Sequence, residues 1–343
     1  MAVQLRKLEE QVMVITGASS GIGLTTARMA AECGVRLVLA SRNEEALSKL
    51  CGEINSSGGE AVYVAADVTN EGDVKKIAAE ALNKFGTFDT WVNNAGVSVY
   101  GKLEDVSIDD MRQVFETNFW GLVYGSIVAA KNMKSSVGAI INVGSTLSDR
   151  AIPLQGIYCA SKHAVKGFTD ALRMELEADG APISVTLIKP SAIDTPYKDH
   201  AKNYLGVAPE NPAPVYAPET VAEAILHCAE NPVRDVFVGG GGKALSVLGK
   251  YAPRLTDKFM ESTMIESQKS DRPDDYGSED GLYESRDSSL TERGGYEGHV
   301  SESSLYTKAS LHPILTSAAV AIGAASAAGL AYTVYAKRNA RSH

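Results

Sequence analysis

Tyr158 and Lys162 stand four positions apart in this 343-residue chain, and Ser145 lies upstream of both. Positions four apart on a helix share one face, so the Lys162 ammonium would lie beside the Tyr158 phenol. A neighbouring positive charge favours the phenolate and lowers the tyrosine pKa from its ordinary value of about 10. Such a tyrosine can transfer a proton to or from an oxygen atom, and a serine hydroxyl can hold that oxygen by a hydrogen bond. The three residues are therefore candidates for acid–base chemistry.

A glycine-rich turn near the start of the chain is a second candidate site. Residues 12–16 are an apolar run typical of a buried parallel strand, and residues 24–33 indicate a helix. Between a strand and a helix, such a turn lets the first amides of the helix point at a phosphate. An ordinary tight turn is the alternative, since Gly-x-x-x-Gly-x-Gly differs from the best-known dinucleotide pattern. The candidate phosphate-binding residues are Gly17, Ser19, Ser20, Gly21, Ile22 and Gly23.

Strands and helices alternate along residues 12–238, which predicts the elements that position these residues. The pattern favours an α/β fold, a doubly wound (Rossmann-like) seven-stranded parallel sheet with right-handed crossovers. Strands are predicted near residues 12–16, 35–40, 61–66, 88–93, 137–143, 183–189 and 234–238. Helices are predicted near residues 21–33, 43–56, 71–85, 107–133, 156–179 and 218–230. Ligands bind at the carboxyl ends of such strands. The residues placed there are Gly17, Arg42, Asp67, Asn94, Ser145 and Pro190.

The glycine turn, Asn93-Asn94-Ala95-Gly96, Ser145 and Tyr158-x-x-x-Lys162 occur in the order and at the spacings of a known family. Over about residues 10–240 the chain resembles the short-chain dehydrogenase/reductases. The resemblance implies hydride transfer between a nicotinamide and a carbonyl or secondary alcohol carbon. It implies that Tyr158 transfers the proton, that Ser145 positions the substrate oxygen, and that Lys162 lowers the tyrosine pKa and holds the nicotinamide ribose.

The same resemblance implies further site residues. Asn118 would bind a water molecule in a proton relay behind Lys162, whereas a helix kink satisfied by local hydrogen bonds is the alternative. Asp67 and Val68 match the adenine-binding step, and Pro190, Ile193 and Thr195 match the nicotinamide end. Asn94, Ala95 and Gly96 match the segment that backs the cofactor, although a purely structural role for Asn94 is equally expected.

The loop after the sixth strand departs from the family pattern. Ser191 replaces the usual glycine, so we expect some strain if the backbone is left-handed there. Residues 196–217 show no clean periodicity and are predicted to form a mobile substrate lid. A homo-oligomer is also implied by the resemblance.

The turn after the second strand indicates the cofactor. An acidic residue there would select NAD by binding the ribose 2′-hydroxyl, whereas an arginine accommodates the 2′-phosphate of NADP. The turn Ser41-Arg42-Asn43 contains no carboxylate. Ser41 and Arg42 are therefore predicted to bind NADP, with NAD less favoured. A solvent-exposed arginine at a helix start is the alternative.

Composition excludes several other classes of function. The net charge of −9 argues against nucleic-acid binding. The four cysteines are scattered and the six histidines show no metal-ligand spacing, so neither disulfides nor a metal site is expected. Residues 1–11 contain no apolar stretch typical of a signal peptide, which favours a cytoplasmic catalytic domain.

The C-terminal quarter, residues 261–343, is expected to be organised differently. We predict a catalytic domain over residues 1–260, an acidic disordered linker over 261–313, a hydrophobic helix over 314–336 and a basic tail over 337–343. Residues 314–336 carry no charge and would span ~34 Å as a helix, enough to cross a bilayer. A transmembrane anchor is the preferred interpretation, and an Ala-rich helix that packs on another subunit is the alternative.

These patterns together predict an NADPH-dependent ketone reductase that acts on a small-molecule carbonyl or alcohol, with Tyr158 as proton donor. One alternative is an NAD-linked alcohol or steroid dehydrogenase. A second is an NADP-binding scaffold or sensor without turnover, but a pure binding protein would not need the catalytic residues.

Overall fold

A computed structural model of the chain describes residues 3–274, 280–285, 290–312 and 316. Its strands are β1 (Val12–Thr16), β2 (Arg36–Ser41), β3 (Ala61–Ala65), β4 (Thr90–Asn93), β5 (Val99–Tyr100), β6 (Gly138–Val143), β7 (Ile183–Pro190), β8 (Ala192–Ile193), β9 (Lys202–Asn203), β10 (Val207–Pro209), β11 (Val215–Tyr216), β12 (Asp235–Val238), β13 (Lys269–Pro273) and β14 (Val300–Ser301). Its helices are α1 (Gly21–Glu32), α2 (Glu44–Ser56), α3 (Glu71–Phe85), α4 (Ile108–Phe115), α5 (Gly121–Met133), α6 (Gly156–Ala178), α7 (Glu219–Glu230), α8 (Gly240–Tyr251), α9 (Pro253–Thr263) and α10 (Leu305–Leu311).

The centre of the molecule is a seven-stranded parallel sheet in the order β12-β7-β6-β4-β1-β2-β3. This confirms the predicted doubly wound sheet. Both faces are covered: Met13 and Ile15 of β1 belong to one core cluster, and Val12 and Val14 belong to the other. Burial on both faces is why this strand is a continuous apolar run rather than an alternating one.

The strand order places a crevice at the carboxyl edge of the sheet. The chain first builds outward from β1 through β2 to β3 and then returns to place β4 on the other side of β1. The carboxyl ends of β1 and β4 therefore meet at the point where the winding direction changes, which is where open α/β sheets bind ligands.

The helix predicted over residues 107–133 is interrupted. Between α4 and α5 the residues Glu116–Trp120 form a π-helical turn. Such turns widen a helix locally and are frequent at functional sites. Asn118 lies within this turn and is 1% exposed, so the poor helix propensity of asparagine marked a real irregularity.

The prediction of a disordered linker over residues 261–313 is wrong for the described part of that segment. Strand β13 pairs with β10, and β14 pairs with β11. Helix α10 packs on α7 and β12, and the Thr307 hydroxyl accepts a hydrogen bond from the backbone of Gly239 (3.1 Å). The acidic composition misled because some of these carboxylates pair with the catalytic domain, as Asp280 does with Lys202 (2.8 Å).

Two further predictions concern the C-terminal hydrophobic helix and the backbone at Ser191. The hydrophobic helix predicted over 314–336 lies, apart from Thr316, outside the described residues, and within the described ranges no helix has the length and apolar character needed to cross a membrane. The strain expected at Ser191 is absent. Among the non-glycine residues of the described ranges, a positive φ occurs at Leu154 (65°) and not at Ser191.

Stability should depend on the segment that follows α9. Gln268 is fully buried, accepts a hydrogen bond from Gln155 (2.7 Å) and donates one to the Pro153 carbonyl (3.0 Å). Losing these partners would cost about 1–3 kcal/mol for each buried polar group left unpaired. We expect a chain ending at Thr263 to melt several degrees below one ending at His312 in thermal unfolding. Equal melting temperatures would show that this segment adds no stability.

Candidate active site

A cavity of about 580 Å³ lies at the carboxyl edge of the sheet. It brings together the glycine turn, the turn after β2, the catalytic candidates and the loop after β7. The predicted site residues that line it are Gly17, Ser19, Ser20, Gly21, Ile22, Ser41, Arg42, Asp67, Val68, Asn94, Ala95, Gly96, Ser145, Tyr158, Lys162, Pro190, Ile193 and Thr195. Gly23 and Asn118 are the two predicted residues that lie behind the lining.

Two glycines allow the turn after β1 to pack closely. Gly17 has a φ of 67°, and a Cβ there would lie 2.8 Å from the Ala95 Cα. A Cβ on Gly23 would lie 2.1 Å from the Gly17 carbonyl oxygen. The start of α1 can therefore sit directly against the turn, with Gly21 and Ile22 at the cavity wall. This cradle fits a dinucleotide phosphate at the N-terminus of α1.

Asn94 has a structural role in the same turn. Its Nδ2 donates to the carbonyl oxygens of Thr16 (3.0 Å) and Gly17 (3.1 Å). The Thr16 hydroxyl in return accepts from the backbone N–H groups of Asn94 (3.1 Å) and Ala95 (3.2 Å). These bonds join the end of β4 to the end of β1 and fix the shape of the cradle.

Helix α6 carries Tyr158 and, one turn later, Lys162. The Lys162 Nζ lies 5.7 Å from the centroid of the Tyr158 ring and donates to the Val143 carbonyl at the end of β6 (2.9 Å). Ser145 follows β6, and its hydroxyl adjoins that of Tyr158 and accepts from the Leu147 backbone (3.1 Å). The sheet and the helix thus bring the three candidates to one wall of the cavity.

Burial controls the protonation of these groups. It raises the pKa of Tyr158 to about 12, although the neighbouring Ser145 hydroxyl acts in the opposite direction. It also lowers the pKa of Lys162 to about 8. The expectation that Lys162 lowers the tyrosine pKa below its ordinary value is therefore wrong in this structure, because desolvation of the phenolate dominates. At neutral pH Tyr158 holds its proton, and Lys162 is largely charged.

Asn118 supports the site from behind. Its Nδ2 donates to the Val97 carbonyl (2.9 Å) and the Ser161 hydroxyl (3.1 Å), while its Oδ1 accepts from the Val97 N–H (2.8 Å). A Cβ on Gly96 would lie 3.3 Å from this Oδ1 and 3.8 Å from the Lys162 Nζ. The side chain therefore satisfies its hydrogen bonds locally at a helix irregularity, close to Lys162.

The far end of the cavity is formed by the turns after β2 and β3. Arg42 donates from Nη2 to the Gly281 carbonyl (2.7 Å) and from Nη1 to that of Tyr283 (2.8 Å). Burial lowers the pKa of this guanidinium, while the carboxylates of Asp67 and Glu284 act in the opposite direction. Arg42 is thus half-buried and engaged, rather than directed freely into solvent.

Comparison with known proteins agrees with this geometry. A family model described as short chain dehydrogenase matches residues 11–204, more than half of the chain. The chain belongs to the short-chain dehydrogenase/reductase family. An uncharacterized oxidoreductase of Bacillus subtilis (strain 168), YxnA, is 49% identical over 93% of this chain and 90% of its own length.

Two solved structures extend the comparison. A short chain dehydrogenase/reductase from Burkholderia phymatum in complex with NAD is 28% identical, with a TM-score of 0.66 over 73% of this chain and 96% of that one. An alcohol dehydrogenase from Thermococcus sibiricus complexed with 5-hydroxy-NADP is 26% identical, with a TM-score of 0.59 over 66% and 95%. The present chain is therefore an oxidoreductase of a family whose members bind NAD or NADP.

Sequence reasoning missed several residues of this dehydrogenase that line the cavity. Tyr197 is the most informative, because its ring lies 6.1 Å from that of Tyr158. Its hydroxyl adjoins those of Tyr158 and Ser98, yet within the described ranges it makes no hydrogen bond of acceptable geometry. The apolar end of the cavity was also missed, because helices α8 and α9 were not predicted. Its residues are Leu147, Ile152, Leu245, Phe259 and Met264. The position of Tyr197, two residues after Thr195, was the one available signal.

Substitution of Gly23 should damage cofactor binding by this dehydrogenase. In Gly23→Ala the added methyl would collide with the Gly17 carbonyl, so the turn must open. We expect cofactor affinity measured by fluorescence titration to fall by about tenfold or more, equivalent to ~1.4 kcal/mol. Gly167→Ala on α6 is the matched control, because a Cβ there meets nothing within 4 Å. Equal affinities in the two variants would contradict the close-packed cradle.

Proposed function

We propose that this dehydrogenase reduces a ketone with NADPH and that Tyr158 donates the proton to the carbonyl oxygen. The observation that carries the proposal is the grouping of half-buried Tyr158 with buried Ser145 and Lys162 on the wall of a cavity that also contains a phosphate cradle. No other described part of the cavity offers a hydroxyl group with a charged neighbour on the same helix face.

The cofactor would be held along the whole crevice. Gly21 and Ile22 would bind the diphosphate, Arg42 the 2′-phosphate, and Ile193 with Thr195 the nicotinamide end. Lys162 would hold the nicotinamide ribose. The bound cofactor would supply the hydride, and the protein would orient it against the substrate carbon.

The protonation of Tyr158 is compatible with the reductive direction of the reaction. Its raised pKa, about 12, leaves the phenol protonated at neutral pH, which suits an acid that donates to a carbonyl oxygen. Alcohol oxidation would need the phenolate at the start, and burial disfavours that state. Ser145 would hold the substrate oxygen while the proton moves from the Tyr158 hydroxyl.

The substrate is proposed to be a ketone with a large apolar group. The Tyr197 hydroxyl is buried beside Tyr158 with an unused donor, so a substrate oxygen would provide an acceptor for it. The apolar residues contributed by the Leu147 loop, α8 and α9 would enclose the remainder of the substrate.

An NAD-linked alcohol or steroid dehydrogenase is the second candidate. It is favoured by one observation, namely that the Arg42 guanidinium is bonded to backbone carbonyls of residues 281–283. A binding protein without turnover is disfavoured because the proton-transfer group is complete. Membrane anchoring through residues 314–336 and homo-oligomer formation remain predictions from the sequence.

Removal of the Tyr158 hydroxyl should separate chemistry from binding. In Tyr158→Phe we expect kcat with a ketone panel to fall by about 10²–10⁴-fold, the usual contribution of general acid–base catalysis. NADPH affinity should stay within a factor of about two, since the hydroxyl is proposed to contact substrate rather than cofactor. Retention of more than a few per cent of activity would show that Tyr158 is not the acid.

The pH dependence should report Lys162. Its pKa of about 8 lies below the ordinary lysine value, so the ammonium is present below that pH and is lost as pH rises through it. We therefore expect the kcat of ketone reduction to be level at neutral pH and to decline above pH about 8. In Lys162→Arg the guanidinium stays charged, and the declining limb should move upward. An identical limb in both proteins would assign it to another group.

A further inference from the structure

Two described stretches of the C-terminal segment, residues 280–285 and 290–296, cross the cofactor end of the cavity and are here named the strap. Gly281 and Ser285 line the same cavity as Ser41 and Asp67. Leu282 is fully buried in a small apolar cluster with Val99 and Val114. The strap is therefore part of the wall of the site rather than a neighbouring surface.

The first stretch, residues 280–285, contacts Arg42, the residue that was predicted to bind the 2′-phosphate. The Arg42 guanidinium donates to three consecutive backbone carbonyls, those of Gly281 (2.7 Å), Leu282 (3.5 Å) and Tyr283 (2.8 Å). These carbonyl oxygens accept from both terminal nitrogens, which are the donors that a phosphate would engage. The Glu284 carboxylate also acts on Arg42, and its negative charge would repel a phosphate placed there.

The second stretch, residues 290–296, lies against the glycine turn. The Gly21 N–H, at the first position of α1, donates to the Thr291 carbonyl (2.9 Å). Asp194 accepts from the backbone of Gly294 (3.1 Å) and Tyr296 (3.0 Å). The strap thus runs from the adenosine end of the crevice toward the loop that carries Thr195.

The strap is held at Arg42 by a small number of side-chain contacts. The Tyr283 hydroxyl donates to Asp110 (2.7 Å), and Asp280 pairs with Lys202 (2.8 Å). Tyr283 is 48% exposed. The Asp280 side chain is only 11% exposed and Leu282 is buried in the apolar cluster, so displacing this part of the strap costs free energy.

We propose that the strap competes with the 2′-phosphate of NADPH for Arg42, so that residues 280–283 determine cofactor choice together with Arg42. The three carbonyls engage both terminal nitrogens of the guanidinium, so a phosphate that binds end-on to these two nitrogens has to displace them. NADH lacks the 2′-phosphate and leaves these contacts intact. NADPH must displace residues 280–283 and is therefore bound less tightly than Arg42 alone would allow. The inference rests on the proposed assignment of Arg42 to the 2′-phosphate.

The test loosens the strap in the full-length protein through Asp280→Asn combined with Tyr283→Phe. Dissociation constants for NADPH and NADH are measured by fluorescence titration, which does not depend on turnover. We expect NADPH to bind about three- to fivefold more tightly, the scale of one half-buried ion pair and one hydrogen bond. The constant for NADH should change by less than about twofold on the same scale. Asp179→Asn combined with Tyr251→Phe is the matched control, since it removes the exposed Lys134–Asp179 pair (2.8 Å) and an exposed tyrosine hydroxyl.

An unchanged or weaker affinity for NADPH in the loosened variant would overturn the proposal, and so would an equal change for both cofactors, which would make the strap a general cover. Arg42→Ala separates this result from a failure of the cofactor assignment. If Arg42→Ala leaves NADPH affinity unaltered, Arg42 does not bind the 2′-phosphate. If it weakens NADPH while the loosened strap has no effect, only the competition is refuted.

Hydrogen exchange of the unaltered protein provides an independent test of this competition. Amides of residues 280–285 should exchange faster with saturating NADPH than with saturating NADH, because only the former displaces this stretch from Arg42. Equal protection with the two cofactors would contradict the competition.

Discussion

The position of the catalytic wall depends on how the Lys162 ammonium is buried. A cation that is only 4% exposed is costly unless it is hydrogen-bonded, and its bond to the Val143 carbonyl satisfies that need at the carboxyl end of β6. This contact acts together with the packing of Val165 against Leu187 of β7, which also holds α6 against the sheet. Tyr158, one turn earlier on the same face, is then placed beside Ser145, which leaves β6 two residues after Val143. A buried charge and its hydrogen bond thus help to position the catalytic wall.

The same burial decides the chemistry. Desolvation moves the tyrosine and the lysine toward their neutral forms, so Tyr158 is kept as an acid and Lys162 is placed near its titration point. A phenol that retains its proton, a hydroxyl that can hold an oxygen atom and an apolar end of the cavity are consistent with carbonyl reduction. The segment beyond α9 contributes to both ends of this cavity, through Met264 at the apolar end and Gly281 at the cofactor end.

The sheet and most of its helices could be predicted because their signals are local. Strands buried on both faces, such as β1 and β6, appear as apolar runs, and α3 was predicted with the bounds that it has. What failed depends on long-range contacts. The acidic C-terminal segment looked like a solvated linker, since the pairing of Asp280 with Lys202 is invisible in a composition. Likewise, the four-residue spacing of Tyr158 and Lys162 gave their proximity but not the burial that raises the tyrosine pKa. The position of Arg42 after β2 predicted that it lies at the cavity. It did not predict the hydrogen bonds from Arg42 to the backbone carbonyls of residues 281–283.

The central proposal is that the cavity holds a nicotinamide cofactor next to the carbonyl carbon of a substrate, beside Tyr158. Its most direct test is the transfer of isotope from NADPH deuterated at the reactive nicotinamide carbon. The full-length protein would be incubated with this cofactor and a panel of apolar ketones, and the products analysed by mass spectrometry. We expect alcohols that carry one deuterium on the former carbonyl carbon, formed about 10²–10⁴-fold more slowly by Tyr158→Phe. Tight cofactor binding without isotope transfer to any ketone or related carbonyl compound would contradict it.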